Sequence, residues 1–352
     1  LTTPRLYLDH AATTPLCPAA RVAMAQALDR WANPSSPHAE GRAARAALED
    51  ARARIGRALG HDGAIIFTSG ATEAIEIVLR RAKAERRFVS AVEHDAVRRA
   101  ASGATVLPVA SDGLAGALPE AARGALVAVQ AVNNETGVIQ PLDSLAAEVR
   151  AGGGLLLADC AQSAGKMALP DADFIALSAH KLGGPPGIGA LLIRDLSTLA
   201  PSGGQEQGYR GGTENLPAVL GFAAAIEAGA GWIDRAAGLR ARLDAAIAAA
   251  GGTVVAGTRE RLPTIASYRM PGVAATAQLI RFDMAGIAVS AGSACSSGSL
   301  KPSHVLAAMG WEEEAAREVV RISFGRDTSE ADIDRVAAEW QAIARSARAR
   351  AA

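Results

Sequence analysis

The chain has 352 residues, about half of them apolar and a fifth charged, which is enough for a large buried core and suggests two domains. Its 36 basic and 36 acidic residues cancel, so there is no basic surplus to point to a nucleic-acid or membrane partner. Cys17, Cys160 and Cys295 are spaced for neither a disulfide framework nor a zinc ribbon, and no stretch approaches the ~18 apolar residues of a membrane span.

The first nine residues lack a basic segment followed by an apolar run, so no signal peptide is read there, and a cytoplasmic, reducing setting is expected. Short apolar runs then alternate with amphipathic stretches. The runs are 64–68, 88–92, 105–109, 126–132, 155–158, 174–177 and 188–193, and helical patterns cover 72–84, 93–101 and 142–151. Buried strands alternating with helices predict an α/β domain with a mostly parallel, seven-stranded sheet. Beyond residue 231 the pattern changes. Ala/Arg-rich helices over 233–250 and 330–349 flank short strands near 253–256, 265–269, 287–290 and 320–323. This predicts a large domain over 14–232 and a smaller α+β domain made of 1–13 and 233–352, with residues 5–12 folding back onto it.

Ligands in open α/β sheets sit beyond the carboxyl ends of the strands. The residues that follow the predicted strands are Ser69-Gly70-Ala71-Thr72-Glu73, Glu93-His94, Asn133-Asn134-Glu135, Asp159 with Gln162, and Ser178-Ala179-His180-Lys181. Such groups can bind an anion, a ring nitrogen or an aldehyde. Small residues at Ser69–Thr72 let backbone N–H groups approach a phosphate at a helix N-terminus, although Ser69 or Thr72 could equally be a plain N-cap. Asp159 could accept the proton of a pyridinium nitrogen or cap a turn. His94 could stack on a ring or move protons, or be structural. Lys181 is one of four lysines, and it precedes a Gly/Pro-rich turn. That setting suits an amine that must be partly desolvated to form a Schiff base.

In order along nearly the whole chain, these motifs resemble fold-type I pyridoxal 5'-phosphate enzymes of aminotransferase class V, and in particular the cysteine desulfurases of the NifS/IscS kind. The matching segments are Tyr7-Leu8-Asp9-His10-Ala11-Ala12-Thr13-Thr14, Phe67-Thr68-Ser69-Gly70-Ala71-Thr72-Glu73 and Val132-Asn133-Asn134-Glu135-Thr136-Gly137. They continue with Asp159-Cys160-Ala161-Gln162-Ser163, Ser178-Ala179-His180-Lys181 and Tyr209-Arg210-Gly211-Gly212-Thr213-Glu214-Asn215. Ser293-Ala294-Cys295-Ser296-Ser297 and Arg321-Ile322-Ser323-Phe324-Gly325 close the set.

The resemblance implies roles at the matching positions. Lys181 bonds the cofactor. Ala71, Thr72, Ser178 and His180 hold its phosphate, with Thr213 reaching the phosphate of a partner subunit in a homodimer. His94 lies on the ring, Asp159 pairs with the ring nitrogen and Gln162 with the ring hydroxyl. Asn134 and Arg321 grip the carboxylate of L-cysteine, as suits the planar fork of an arginine.

Cys295 decides among the reactions such a scaffold hosts. It lies in the loop 290–300, whose residues 290–299 are nearly all small, a composition with little side-chain area to anchor a loop, so the thiol is expected to reach into the pocket and out again. With Lys181, Cys295 and His94 as catalytic groups, the resemblance implies conversion of L-cysteine to L-alanine with a persulfide on Cys295. The sulfur then passes to an acceptor or iron–sulfur scaffold protein. A selenocysteine lyase, a class V aminotransferase and a non-catalytic binding relative are the alternatives. His10 and the segment Ser202-Gly203-Gly204-Gln205-Glu206-Gln207 depart from the family pattern.

Overall fold

The structure, a computed structural model, describes residues 5–29, 31–292 and 302–351. In chain order its elements begin with β1 (Leu6–Tyr7), α1 (Pro18–Leu28), α2 (Ala39–Leu59), β2 (Ala64–Thr68), α3 (Ala71–Arg81), β3 (Arg87–Ser90), α4 (Asp95–Ala100) and β4 (Thr105–Leu107). Next come β5 (Leu126–Gln130), α5 (Leu142–Ala151), β6 (Leu155–Asp159), β7 (Phe174–Ser178), β8 (Gly189–Ile193) and α6 (Leu216–Glu227). The last part holds α7 (Ile233–Ala249), β9 (Thr253–Val254), β10 (Ile265–Arg269), α8 (Ala275–Met284), β11 (Ile287–Ala288), α9 (His304–Ala308), α10 (Glu313–Ala316), β12 (Val319–Ser323) and α11 (Glu330–Ala351).

The described strands β2 to β8 form a seven-stranded sheet in the order β2-β8-β7-β6-β5-β3-β4. Strands β4, β3, β5, β6 and β7 are mutually parallel, and β8 runs antiparallel to both β7 and β2. It follows that β2, β3, β5, β6 and β7 all point the same way, and their carboxyl ends share one edge of the sheet. The inner strands read as apolar runs because both faces are covered, whereas Val106 of the edge strand β4 is exposed. Along β7, Phe174 and Ala176 enter one core, Ile175 and Leu177 the other. Strand β4 stops at Leu107, before Pro108, which has no N–H to give a ladder.

A third core joins Leu6 and Leu8 to α7, β10, α8, β12 and α11 around Tyr268, Phe282 and Trp340. Strand β1 pairs in parallel with β11, so the N-terminal segment is built into this second layer. The segment then runs back to the large sheet, where the Thr14 N–H donates to the His180 carbonyl at 2.8 Å. Among the described residues no helix is long and apolar enough to cross a membrane.

Candidate active site

The shared carboxyl edge opens on a cavity of about 400 Å³. At one end β2 passes through Ser69-Gly70 directly into α3. The residue before the helix is Gly70, and no side chain caps it. Capping by Ser69 or Thr72 is thereby excluded. The first-turn N–H groups keep no intrahelical partner, and Ala71 and Thr72 line the cavity. The acid of that turn, Glu73, folds back to accept from the Ser69 N–H and pairs with Arg210 at 3.0 Å. Ser178 and His180 come to the same cavity from the end of β7. Burial, then the charge of Lys181, holds the His180 imidazole at a pKa of about 4, so it is neutral at physiological pH, and its Nδ1 lies 3.1 Å from the Thr13 hydroxyl.

Lys181 ends a single turn after β7 and is clasped from outside. The Thr14 hydroxyl donates to its carbonyl at 3.3 Å, and the Gly184 N–H donates to Ala179 at 2.9 Å. A Cβ on Gly184 would stand 2.8 Å from that of Ala179, so the tight return requires glycine here. Opposite, β6 delivers Asp159, whose Oδ1 accepts from the Ala161 N–H at 2.9 Å. Asp159 therefore caps its own turn with one oxygen, and the other accepts no hydrogen bond among the described residues. Gln162 donates to the Ala11 carbonyl at 2.9 Å, which leaves its Oε1 buried without a partner. His94 caps α4 through Nδ1, which accepts from Ala96 at 3.1 Å, so a neutral ring carries its proton on Nε2. Burial, then Lys181, lowers its pKa.

At the other end stands Arg321 of β12, 5 % exposed. Its Nη1 donates to the Asn134 carbonyl at 3.0 Å and its Nη2 to Asp9 Oδ1 at 2.7 Å, while Nε is buried with no partner. Asn134 lines the cavity beside it. An arginine held on two sides with its Nε–H unpaired is a ready receptor for a carboxylate.

Of the residues singled out from the sequence, Ala71, Thr72, His94, Asn134, Asp159, Gln162, Ser178, His180, Lys181 and Arg321 all line this one cavity. Thr213 does not, and it is exposed on the chain surface. Cys295 lies outside the described residues. Three polar groups had not been singled out. Asp9 pairs with Arg321. Glu93 is buried directly before His94, and burial pushes its carboxyl well up. Lys166 is a buried amine whose pKa burial, then Lys181, lowers to about 7. Their only signal in the sequence was position, inside or beside a motif or among very few lysines. Cys160 is buried in the core, which raises its thiol to about 12 and makes it inert.

The model of the family described as aminotransferase class-V matches residues 6–336. The chain belongs to the class V aminotransferase family. Among its class V relatives, a protein named cysteine desulfurase from Gluconacetobacter diazotrophicus is 38 % identical over 94 % of this chain and 91 % of its own length. The solved structure of a NifS-like protein from Rickettsia africae superposes with a TM-score of 0.87 at 29 % identity, over 96 % of this chain and 99 % of that one. SspA in complex with cysteine matches with a TM-score of 0.77 at 29 % identity, over 91 % and 98 % of the two chains. The α/β architecture with a mostly parallel seven-stranded sheet is thus the class V fold that the motifs implied.

Proposed function

We propose that the chain is a pyridoxal-phosphate-dependent cysteine desulfurase that moves the sulfur of L-cysteine onto Cys295, releases L-alanine and hands the sulfur to an acceptor protein. One observation carries the reading. An uncapped helix N-terminus, the Lys181 amine, the Asp159 carboxylate and the Arg321 guanidinium converge in one cavity. They complement a phosphate, an aldehyde, a ring nitrogen and a substrate carboxylate in turn. Two details fit the cofactor further. Gln162 Oε1 is a buried acceptor left for the ring hydroxyl, and nothing lies within 4 Å of where a Cβ on Gly70 would stand, so the approach to the helix N-terminus is open.

Pyridoxal phosphate, when bound, supplies the aldehyde and an electron-poor ring that takes up carbanion electrons. Asp159 holds the proton of the ring nitrogen. Arg321 and Asn134 fix the substrate carboxylate. Lys181, displaced by the substrate amine, accepts the α-proton. The Cys295 thiolate bonds to the substrate sulfur, the carbon–sulfur bond breaks with its electron pair on the β-carbon, the α-carbon takes back its proton from Lys181 as alanine leaves, and a further proton completes the methyl group at the β-carbon. His94, with Nδ1 committed to the α4 cap, offers Nε2–H for that transfer.

The residues flanking the Cys295 segment support this role. On one side Ser290 exchanges backbone hydrogen bonds with Arg321, at 2.7 and 3.1 Å. On the other, His304 Nε2 lies 2.9 Å from the carbonyl of Glu93, the neighbour of His94. Both anchors sit beside cavity residues.

The test is mass spectrometry after L-cysteine is added. One extra sulfur is expected on the peptide bearing Cys295, with alanine in solution. Cys295→Ser should keep the cofactor absorbance and lose sulfide release. A serine variant that still turned cysteine over at the parent rate would sink the assignment.

The same reading makes the active unit a homodimer in which the exposed Thr213 reaches the phosphate held by the partner. It places the protein in the reducing cytoplasm, where a persulfide-forming thiol survives. It also divides the chain into a cofactor domain over 14–232 and a second domain of 1–13 with 233–352, in keeping with the core shared by Leu6, Leu8 and the C-terminal elements.

A further inference from the structure

Behind Lys181 lies a second cavity, of about 520 Å³, which has Lys181 in common with the first. Lys166 is part of its wall. The side chain is 8 % exposed, and its amine has no hydrogen-bond or ion-pair partner among the described residues. A buried ammonium with no counter-ion is costly, and a second one nearby makes it costlier.

The surroundings offer little compensation. From the N-terminal segment come Tyr7, Cys17 and His10, whose Nδ1 is buried without a partner and whose pKa burial, then Lys166, brings to about 4. Arg5 adds another positive charge on that side. From the stretch after β12 come Arg326 and Asp327, with Asp332 beyond, and neither acid is within ion-pair distance of Lys166. The turn after β7 brings Lys181 itself. In front of Lys181 stand His94, His180 and Asp159.

We propose that Lys166 is a positioning residue for Lys181: a second amine, seated behind it, whose charge opposes a proton on the Lys181 nitrogen. The inference rests on the reading of Lys181 as the cofactor lysine. Two amines sharing one desolvated wall titrate as a pair, and the first proton taken up resists the second. With the charge on Lys166, Lys181 is kept as the free amine, the form that bonds an aldehyde or accepts an α-proton. When Lys181 takes a proton, Lys166 gives up its own.

The test is a pH titration of the visible absorbance of the protein loaded with pyridoxal phosphate, without substrate, for the parent, Lys166→Met and Lys166→Arg. The midpoint should rise in the methionine variant by up to about one pH unit, because the opposing charge is gone. It should fall in the arginine variant, where the charge is permanent. Should the arginine variant not fold, methionine against parent decides. A purely structural Lys166 would weaken cofactor retention and leave the midpoints coincident, and that result overturns the inference while leaving the proposed function intact. A parent with no such chromophore at all sinks both.

Discussion

At the residue scale, the pair Arg321–Asp9 is the most informative contact in the site. A guanidinium almost shut off from solvent is neutralised by one carboxylate at 2.7 Å and braced by the Asn134 carbonyl at 3.0 Å. Removing the acid strands the charge. Asp9→Ala should therefore cost about 3 kcal/mol of stability, the usual penalty for breaking a buried pair. If Arg321 receives the substrate carboxylate, L-alanine should restore part of that loss. The rise in Tm on adding L-alanine to the loaded protein is then larger for Asp9→Ala than for the parent. Equal shifts in a calorimetric scan would mean that the amino acid does not meet Arg321. Asp9 was visible in the sequence only as part of a matching motif, because its partner stands 312 positions away. Lys181, Asp159 and His94 were legible because a strand end announces itself locally: an apolar run stops and polar groups begin. A pairing across the fold leaves no such local mark.

At the scale of elements, the free edge of β2 shows how the sheet is finished. Strand β2 has β8 on one side only. On the other, the side chain of Glu206 takes the place of a strand: its Oε2 accepts from the Phe67 N–H at 2.7 Å, while Arg52 of α2 donates both to that oxygen, at 2.8 Å, and to the Ile65 carbonyl. Glu206 does this from a left-handed backbone, φ 49°, that costs any non-glycine residue something. Glu206→Ala should lower stability by about 2 kcal/mol, leaving Arg52 with Glu49 as its one acid and the Phe67 N–H without an acceptor at an exposed strand edge. Urea melts of the two proteins measure the difference, and a change within error would mean that water replaces the carboxylate at no cost. The segment 202–207 stood out in the sequence as a departure without a stated purpose. Its purpose is tertiary, so no local pattern carries it. All seven strands of the sheet were readable as runs, whereas α1, α2 and α6 were not singled out. In α1 and α2 alanine sits on buried and exposed faces alike, and α6 is buried almost all round, so the contrast that marks an amphipathic helix is weak.

At the scale of the whole molecule, the site is held together at the expense of stability elsewhere, and Lys166 is where this can be measured. Its pKa is brought from 10.5 down to about 7 by burial and by Lys181. In the unfolded chain the amine keeps its proton up to the higher value, so between the two the unfolded state binds more protons and stability rises with pH. The stability linked to Lys166 is fully present only above pH 10.5 and is lost as pH falls through 7. Methionine has the length of the lysine stem and no charge to bury. Lys166→Met should therefore be more stable than the parent, by a few kcal/mol near pH 7, with the gap closing steadily towards pH 10. Denaturant melts of the cofactor-free proteins at several pH values in that range test the slope. A gap that did not change with pH would mean that the amine is solvated and carries its charge freely. If the gap does close, the variant that folds best is also the one in which Lys181 has lost the charge behind it. A buried cation that weakens the fold then has a reason to be there: it keeps a neighbouring amine unprotonated at the meeting point of the N-terminal strap, the main sheet and the C-terminal layer.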